Sequence, residues 1–228
     1  MPDSDTGPGP SFLTRLSADQ AGALRSRAIA RHFERGATVM HQDEVPGRVI
    51  VIERGHAKVT TTAEDGREVV LAIRGPGDIL GEMSALGGRP RSATVRALEA
   101  LDALAIAAGD FEAFLEEHPS AALAILKVEI ARLREADRQQ FEFAAYQTLG
   151  RVARRLVELA ERFGEASDGG VRIALRLSQE ELAGWAGASR EATTKALHDL
   201  REMGLIETDR RRLTVHDLER LRRIAGAP

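Results

Sequence analysis

The sequence predicts an α+β chain in three consecutive parts: a β-rich N-terminal half, a long helix, and a small C-terminal domain of helices and short strands. Three observations carry this. Short β-rich runs separated by glycine turns fill residues 32–107. A glycine-free stretch with apolar residues at 3-4 spacing then runs from Pro119 to Gln147. Two helical runs broken at Gly187 follow, and lead into a pair of short strands.

The chain opens on "MPDSDTGPGPS", which has acids and prolines but no basic stretch leading into an apolar core. It does not read as a secretory signal, and residues 1–11 are expected to be a disordered tail. "SADQAGALRSRA" is amphipathic, with Ser17 placed as an N-cap. The runs "RVIVIERG", "HAKVTTT", "REVVLAIRG" and "SATVRAL" are rich in β-branched residues. Gly55, Asp65-Gly66, Gly75-Pro76-Gly77 and Gly87-Gly88 fall between or beside them, and "AEDGRE" is a hairpin signal. Several short strands at near-regular spacing predict a β-sandwich or barrel over residues 12–118. "GEMSALGGRPRSATV", residues 81–95, stands apart: one acid, one base and a hydroxyl on a glycine-punctuated turn.

Residues 119–147 predict one long helix. Leu123, Leu126, Ile130 and Leu133 form a seam that Asp137, Gln140 and Ala144 continue. A narrow seam on so long a helix predicts a partner helix, most simply from a second copy of the chain. A helix packed on its own β domain would need a broader apolar face.

In residues 148–228, "TLGRVARRLVELAERFG" is an amphipathic helix and "VRIALRL" alternates like a strand. Ser178 with Glu181 makes a capping box, Gly187 a turn, and Ser189 a cap for the next helix. This is a helix-turn-helix, whose second helix presents its first residues to base edges in a major groove. Thr193, Ala196, Leu197 and Leu200 can face the core; Arg190, Glu191, Thr194, Lys195 and His198 then fall on the opposite face. Arg reads guanine and Glu accepts from cytosine, so that face suits base readout. "LIETDRRRLTVHD" predicts two strands with Arg210, Arg211 and Arg212 at the tip, placed for phosphates.

Of 228 residues, 43% are hydrophobic and 29% charged, as in ordinary globular proteins, and no run is long enough to span a membrane. The absence of cysteine excludes a disulfide framework, a thiol nucleophile and a Cys-ligated iron–sulfur cluster, and makes the cytoplasm the expected location. Net charge is −3; residues 147–228 carry 15 Lys+Arg against 13 Asp+Glu, so a DNA-binding reading rests on motif and not on bulk charge. An enzyme is the least favoured class: His32, His41, His56, His118, His198 and His216 show no metal-ligand spacing, and "GPG" at 75–77 is a turn without a dinucleotide-binding unit around it.

The motifs "GDILGEMSALGGRPRSATV" and "LSQEELAGWAGASREATTKAL", in that order around a long helix, resemble the cyclic-AMP receptor protein (CRP/FNR) family of bacterial transcription regulators over nearly the whole length. The resemblance implies a jelly-roll cyclic-nucleotide-binding domain, a dimerisation helix and a winged helix-turn-helix. It casts residues 81–95 as a phosphate-binding cassette. Arg91 would neutralise a cyclic phosphate, with Ser92 and backbone N–H groups completing an anion nest. Glu82, acceptor-only, suits a ribose 2′-hydroxyl. Gly81 and Met83 would lend backbone contacts, Val59 and Leu71 would line the base pocket, and Ser178 and Ser189 join the DNA-contacting set. The effector implied is cyclic AMP, with no metal; the partners are a palindromic duplex operator, a second copy and RNA polymerase.

Two positions depart from the family pattern. Where the founding member places a Thr-Ser pair on the long helix, this chain has Ala136 and Asp137. Asp137 can accept the adenine N6 hydrogen; the competing reading is a polar residue that sets seam register, with a different effector or none. Lys195 stands where the family has a second arginine, which removes the bidentate fork. The mechanism expected is two-state: nucleotide bound between the β domain and the long helix favours one helix-pair arrangement, and so a half-site spacing of about 34–36 Å. The hinge is expected at Ala145–Gly150. The rival functions are a ligand-independent or differently liganded regulator of the same fold, and a nucleotide-sensing module that controls a partner protein.

Overall fold

The structure is a computed structural model that describes residues 11–63, 66, 68–175, 177–209 and 212–226, with the side chain of Arg212 left out. The tail expected over residues 1–11 therefore lies outside the described residues except for Ser11. So do Arg210 and Arg211. Two compact units are present, the first comprising residues 11–63 and 70–134, the second built on residues 135–226.

The first unit opens with α1 (Ala18–Ser26), capped at Ser17: the Gln20 N–H donates to Ser17 Oγ, and the Ser17 N–H to Gln20 Oε1. Strands β1 (Ala28–Phe33), β2 (Thr38–Met40), β3 (Arg48–Arg54), β4 (Ala57–Thr62), β5 (Glu68–Arg74) and β6 (Ile79–Leu80) follow. Then come α2 (Glu82–Gly87), β7 (Thr94–Ala97), β8 (Leu101–Ala107), α3 (Ala108–Glu117) and α4 (Pro119–Ala145). The strands make two four-stranded sheets, ordered β1-β8-β3-β6 and β2-β7-β4-β5. This is the double-sheet β domain expected.

Its core has two layers, and β3 shows why "RVIVIER" reads as a continuous apolar run. Ile50 and Ile52 pack with Val39, Met40, Val95 and Leu101 between the sheets. Val49 and Val51 face the other way, under Phe12, Phe111, Phe114 and Ile125 from the helical cover. A strand buried on both faces has no alternation to show. β8 is likewise central, paired with β1 and β3, yet "LDALAIA" is alanine-rich and carries no strand signal in its sequence. Alanine is a poor β-former; here it fits because both faces of β8 are covered.

α4 carries two apolar stripes. Ala121, Ala124, Ile125 and Val128 are buried in the unit's own core, while Leu123, Leu126, Ile130 and Leu133 remain 42–63% exposed. Packing on the β domain therefore leaves the predicted seam free.

The second unit contains α5 (Thr148–Phe163), β9 (Gly164–Ser167), β10 (Gly170–Ile173), α6 (Gln179–Ala186), α7 (Arg190–Glu202), β11 (Ile206–Asp209), β12 (Arg212–Val215) and α8 (Leu218–Ile224). Of "VRIALRL" only the first three residues are strand; the chain then leaves the sheet towards the cap of α6. The four strands form one antiparallel sheet, β11-β12-β10-β9. Leu156, Trp185, Leu200, Val215 and Leu221 are buried. Glu142, near the end of α4, is 1% exposed and pairs with Arg155, itself 2% exposed, and with Arg154 at 2.7 Å.

Candidate functional site

The stretch that opens at Gly81 folds as a six-residue helix, α2, between two left-handed glycines, Gly81 (φ 83°) and Gly88 (φ 62°). Gly81 is required twice over: by its φ, and because a Cβ there would overlap Arg91 Nη1 and stand 2.8 Å from the Met40 methyl. The loop after α2 is fastened by backbone bonds, from the Arg91 N–H to the Glu44 carbonyl (3.0 Å) and from the Asp43 N–H to the Arg91 carbonyl (2.9 Å). Ser84 Oγ reaches the Pro90 carbonyl at 3.3 Å.

Glu82 and Arg91 are both buried here, 3% and 4% exposed, close enough for their charges to interact. Arg91 donates from Nη1 to the Gly81 carbonyl at 2.6 Å and from Nη2 to the Arg48 carbonyl. Its Nε is buried without a partner. Burial also lowers the Arg91 guanidinium below the ordinary arginine value. Glu82 Oε1 accepts from Arg132 Nη1 at 2.6 Å, whereas no donor reaches Glu82 Oε2. A buried orphan donor and a buried orphan acceptor, on residues close enough for their charges to interact, fit a ligand that carries an anion and a hydroxyl.

The other expected pocket residues scatter in exposure. Val59 is partly buried against the inter-sheet core, Leu71 and Met83 are 41% and 60% exposed, and Ser92 is exposed. Asp137 is exposed on the second-unit part of α4. Sequence reasoning missed Arg132 and Glu129. Arg132 ties Glu82 to α4 and also donates to the Ile79 carbonyl at 2.6 Å. No local pattern announces a partner fifty positions away.

On the second unit, Ser178 makes the full capping box with Glu181, and Ser189 Oγ accepts from the Ala192 N–H at 3.1 Å. Gly187 takes φ 59° at the turn. Thr193, Ala196, Leu197 and Leu200 are buried; Arg190, Glu191, Thr194, Lys195 and His198 all face solvent, as do Ser178 and Ser189. The Thr194 hydroxyl is committed backwards, to the Arg190 carbonyl at 2.8 Å and Gln179 Oε1 at 3.3 Å. That leaves Arg190, Glu191, Lys195 and His198 as the outward polar set. Arg151, also missed, fastens the turn by donating to the Ala186 carbonyl (2.9 Å) and the Gly187 carbonyl (3.2 Å).

Residues 30–118 match the cyclic nucleotide-binding domain model, and residues 150–224 the Crp-like helix-turn-helix domain model. A CRP-like cAMP-activated global transcriptional regulator of Mycobacterium tuberculosis is 34% identical over 203 residues, covering 89% of this chain and 91% of the relative. The chain belongs to the CRP/FNR family of transcription regulators. The Cyclic AMP receptor protein of Thermus thermophilus is 29% identical and covers 95% of this chain and 97% of its own length. Among solved structures, a CRP-family transcriptional regulator from Thermus thermophilus superposes with a TM-score of 0.75 at 26% identity, covering 86% of this chain and 97% of that one. A c-di-GMP responsive global regulator of Xanthomonas campestris reaches 0.80 at 21% identity, over 88% of this chain and 100% of its own, a likeness of fold alone. The CRP/FNR chain described here is thus a DNA-binding regulator with a cyclic-nucleotide domain, in a family of regulators and not of enzymes. Among the described residues, no helix is long and apolar enough to cross a membrane.

Proposed function

We propose that this regulator acts as a homodimer whose affinity for a palindromic operator is set by cyclic AMP bound in the N-terminal unit. The observation that carries the reading is that Arg91 Nε and Glu82 Oε2, both on the glycine-punctuated stretch 81–95, are buried without partners and suit an anion and a hydroxyl. Relatives at 34% and 29% identity are named for cyclic AMP. The exposed seam of α4 supports a second copy as partner, and the outward face of α7 supports duplex DNA. On this reading Asp137 accepts the adenine amino hydrogen, Arg210, Arg211 and Arg212 meet phosphates, RNA polymerase is the further partner, and the protein works in the cytoplasm.

A second reading has one observation behind it. The Nη1 and Nη2 atoms of Arg91 already donate to the protein's own carbonyls, as suits a regulator that needs no ligand, or a different one. Calorimetric titration of the full-length protein with cyclic AMP and cyclic GMP separates the two. Saturable cyclic AMP binding that Arg91→Ala abolishes, together with tighter operator binding when cyclic AMP is added, supports the proposal. No heat and no thermal stabilisation with either nucleotide sinks it.

A further inference from the structure

The carboxyl of Glu129 faces the same guanidinium that holds Glu82. Arg132 Nη1 stands 2.6 Å from Glu82 Oε1 and 3.0 Å from Glu129 Oε1, so one terminal NH2 group serves two acids. Glu82 reaches this point from α2, while Glu129 and Arg132 sit one turn apart on α4. Arg74, from β5, adds a positive charge, and Arg91 is close enough to Glu82 for their charges to interact. The side chains of Glu129 and Arg132 are 28% and 17% exposed. With both acids ionised, the trio Glu82, Glu129 and Arg132 carries one net negative charge beside the pocket.

We propose that Glu129 is a positioning residue for the nucleotide site: it takes up a proton as the anionic ligand binds, which keeps Arg132 on Glu82 and leaves Glu82 the acceptor for a ligand hydroxyl. This rests on the cyclic-nucleotide reading above and adds its regulation by pH. An arriving phosphate is repelled less by a neutral trio than by a negative one. Glu129 and Glu82 meet at the same Arg132 nitrogen, and two carboxylates held that close repel each other, which one proton relieves. Burial, then the charge of Glu82, push the Glu129 carboxyl up to about 7, so the proton is exchanged in the neutral range.

Linkage fixes the sign. If the ligand favours the protonated form, the proton favours the ligand by the same factor, so affinity rises as pH falls through about 7. One fully linked proton gives at most about tenfold per pH unit; for a partly exposed group about three- to tenfold between about pH 6 and about pH 8 is expected.

The test is calorimetry of the full-length protein with cyclic AMP at those two pH values, repeated in buffers of different ionisation enthalpy to count protons. Wild type is expected to bind several-fold tighter at the lower pH with net proton uptake. Glu129→Gln is expected to bind at both with the wild type's low-pH affinity and no uptake through this group. Glu129→Met, which also carries no proton, serves as the second variant should the amide disturb the cluster. Histidine contributions persist in both variants, so the difference isolates Glu129. Binding that is flat with pH in wild type, or a pH dependence that survives both variants, overturns this inference alone. Absence of binding at either pH overturns the nucleotide reading and this inference with it.

Discussion

The ring of Phe143 lies against Gly187: a Cβ on that glycine would overlap the ring. The contact joins the last turns of α4 to the turn of the reading motif. Arg151 completes it, its guanidinium 5.8 Å from the centre of the Phe143 ring while it donates to the Ala186 and Gly187 carbonyls. Gly187→Ala meets both this overlap and a left-handed backbone, and is expected to destabilise the second unit by about 1–3 kcal/mol. In a Phe143→Ala background the same change should cost only the backbone part, about 1 kcal/mol. Thermal denaturation of the four proteins in a double-mutant cycle checks it, and additive costs would contradict the contact.

Glu142 and Arg155 form the most buried ion pair described. Glu142→Ala leaves Arg155 charged in the core with Glu158, at 2.7 Å, as its remaining carboxylate, and Arg154 loses its carboxylate partner as well. A loss of about 3 kcal/mol is expected. Replacing both Glu142 and Arg155 with Met should recover most of it, because an apolar pair carries no desolvation penalty. Denaturant midpoints of the single and double variants decide the matter.

Arg190 heads α7 with its side chain exposed, its helix start fixed by the Ser189 cap. Arg190→Ala is expected to weaken specific operator binding by about 1–3 kcal/mol and to relax the preference at one base pair per half-site. Selection of bound sequences from a random duplex library by wild type and variant reads this directly. A uniform loss over all sequences would make Arg190 a phosphate contact instead.

The raised Glu129 carboxyl also predicts how stability follows pH. Its folded value, about 7, lies above the ordinary 4.5, so between those values the folded state holds a proton that the unfolded state has lost. The contribution is therefore complete below about 4.5 and is lost as pH rises to about 7. Allowing for partial exposure, roughly 1–2 kcal/mol of the first unit's stability should disappear over that window. Glu129→Gln should remove that component, as urea denaturation at several pH values would show.

What the sequence disclosed and what it hid differ by range. The capping boxes at Ser17 and Ser178, the turn at Gly187 and the buried face of α7 are local signals, and each reads directly from spacing. The seam of α4 was legible for the same reason. β8 was not, because its alanines are chosen for covered space on both sides and carry no alternation. Nor were Glu129 and Arg132, whose meaning depends on Glu82 arriving from about fifty residues earlier. The same holds for Phe143, which looks like any exposed aromatic until Gly187 is placed beneath it.

The two carbonyl bonds of Arg91 bear on speed as well as affinity. Arg91 Nε is free, but a ligand that also needs the two terminal nitrogens of this guanidinium must exchange with the Gly81 and Arg48 carbonyls already in place. Entry then becomes a replacement reaction with its own barrier. At low concentration the observed association rate should climb with ligand, well below the diffusion limit. At high concentration it should level off at the rate at which Arg91 lets go. That plateau would be a clock built into the pocket, setting how briefly a pulse of signal can last and still be registered.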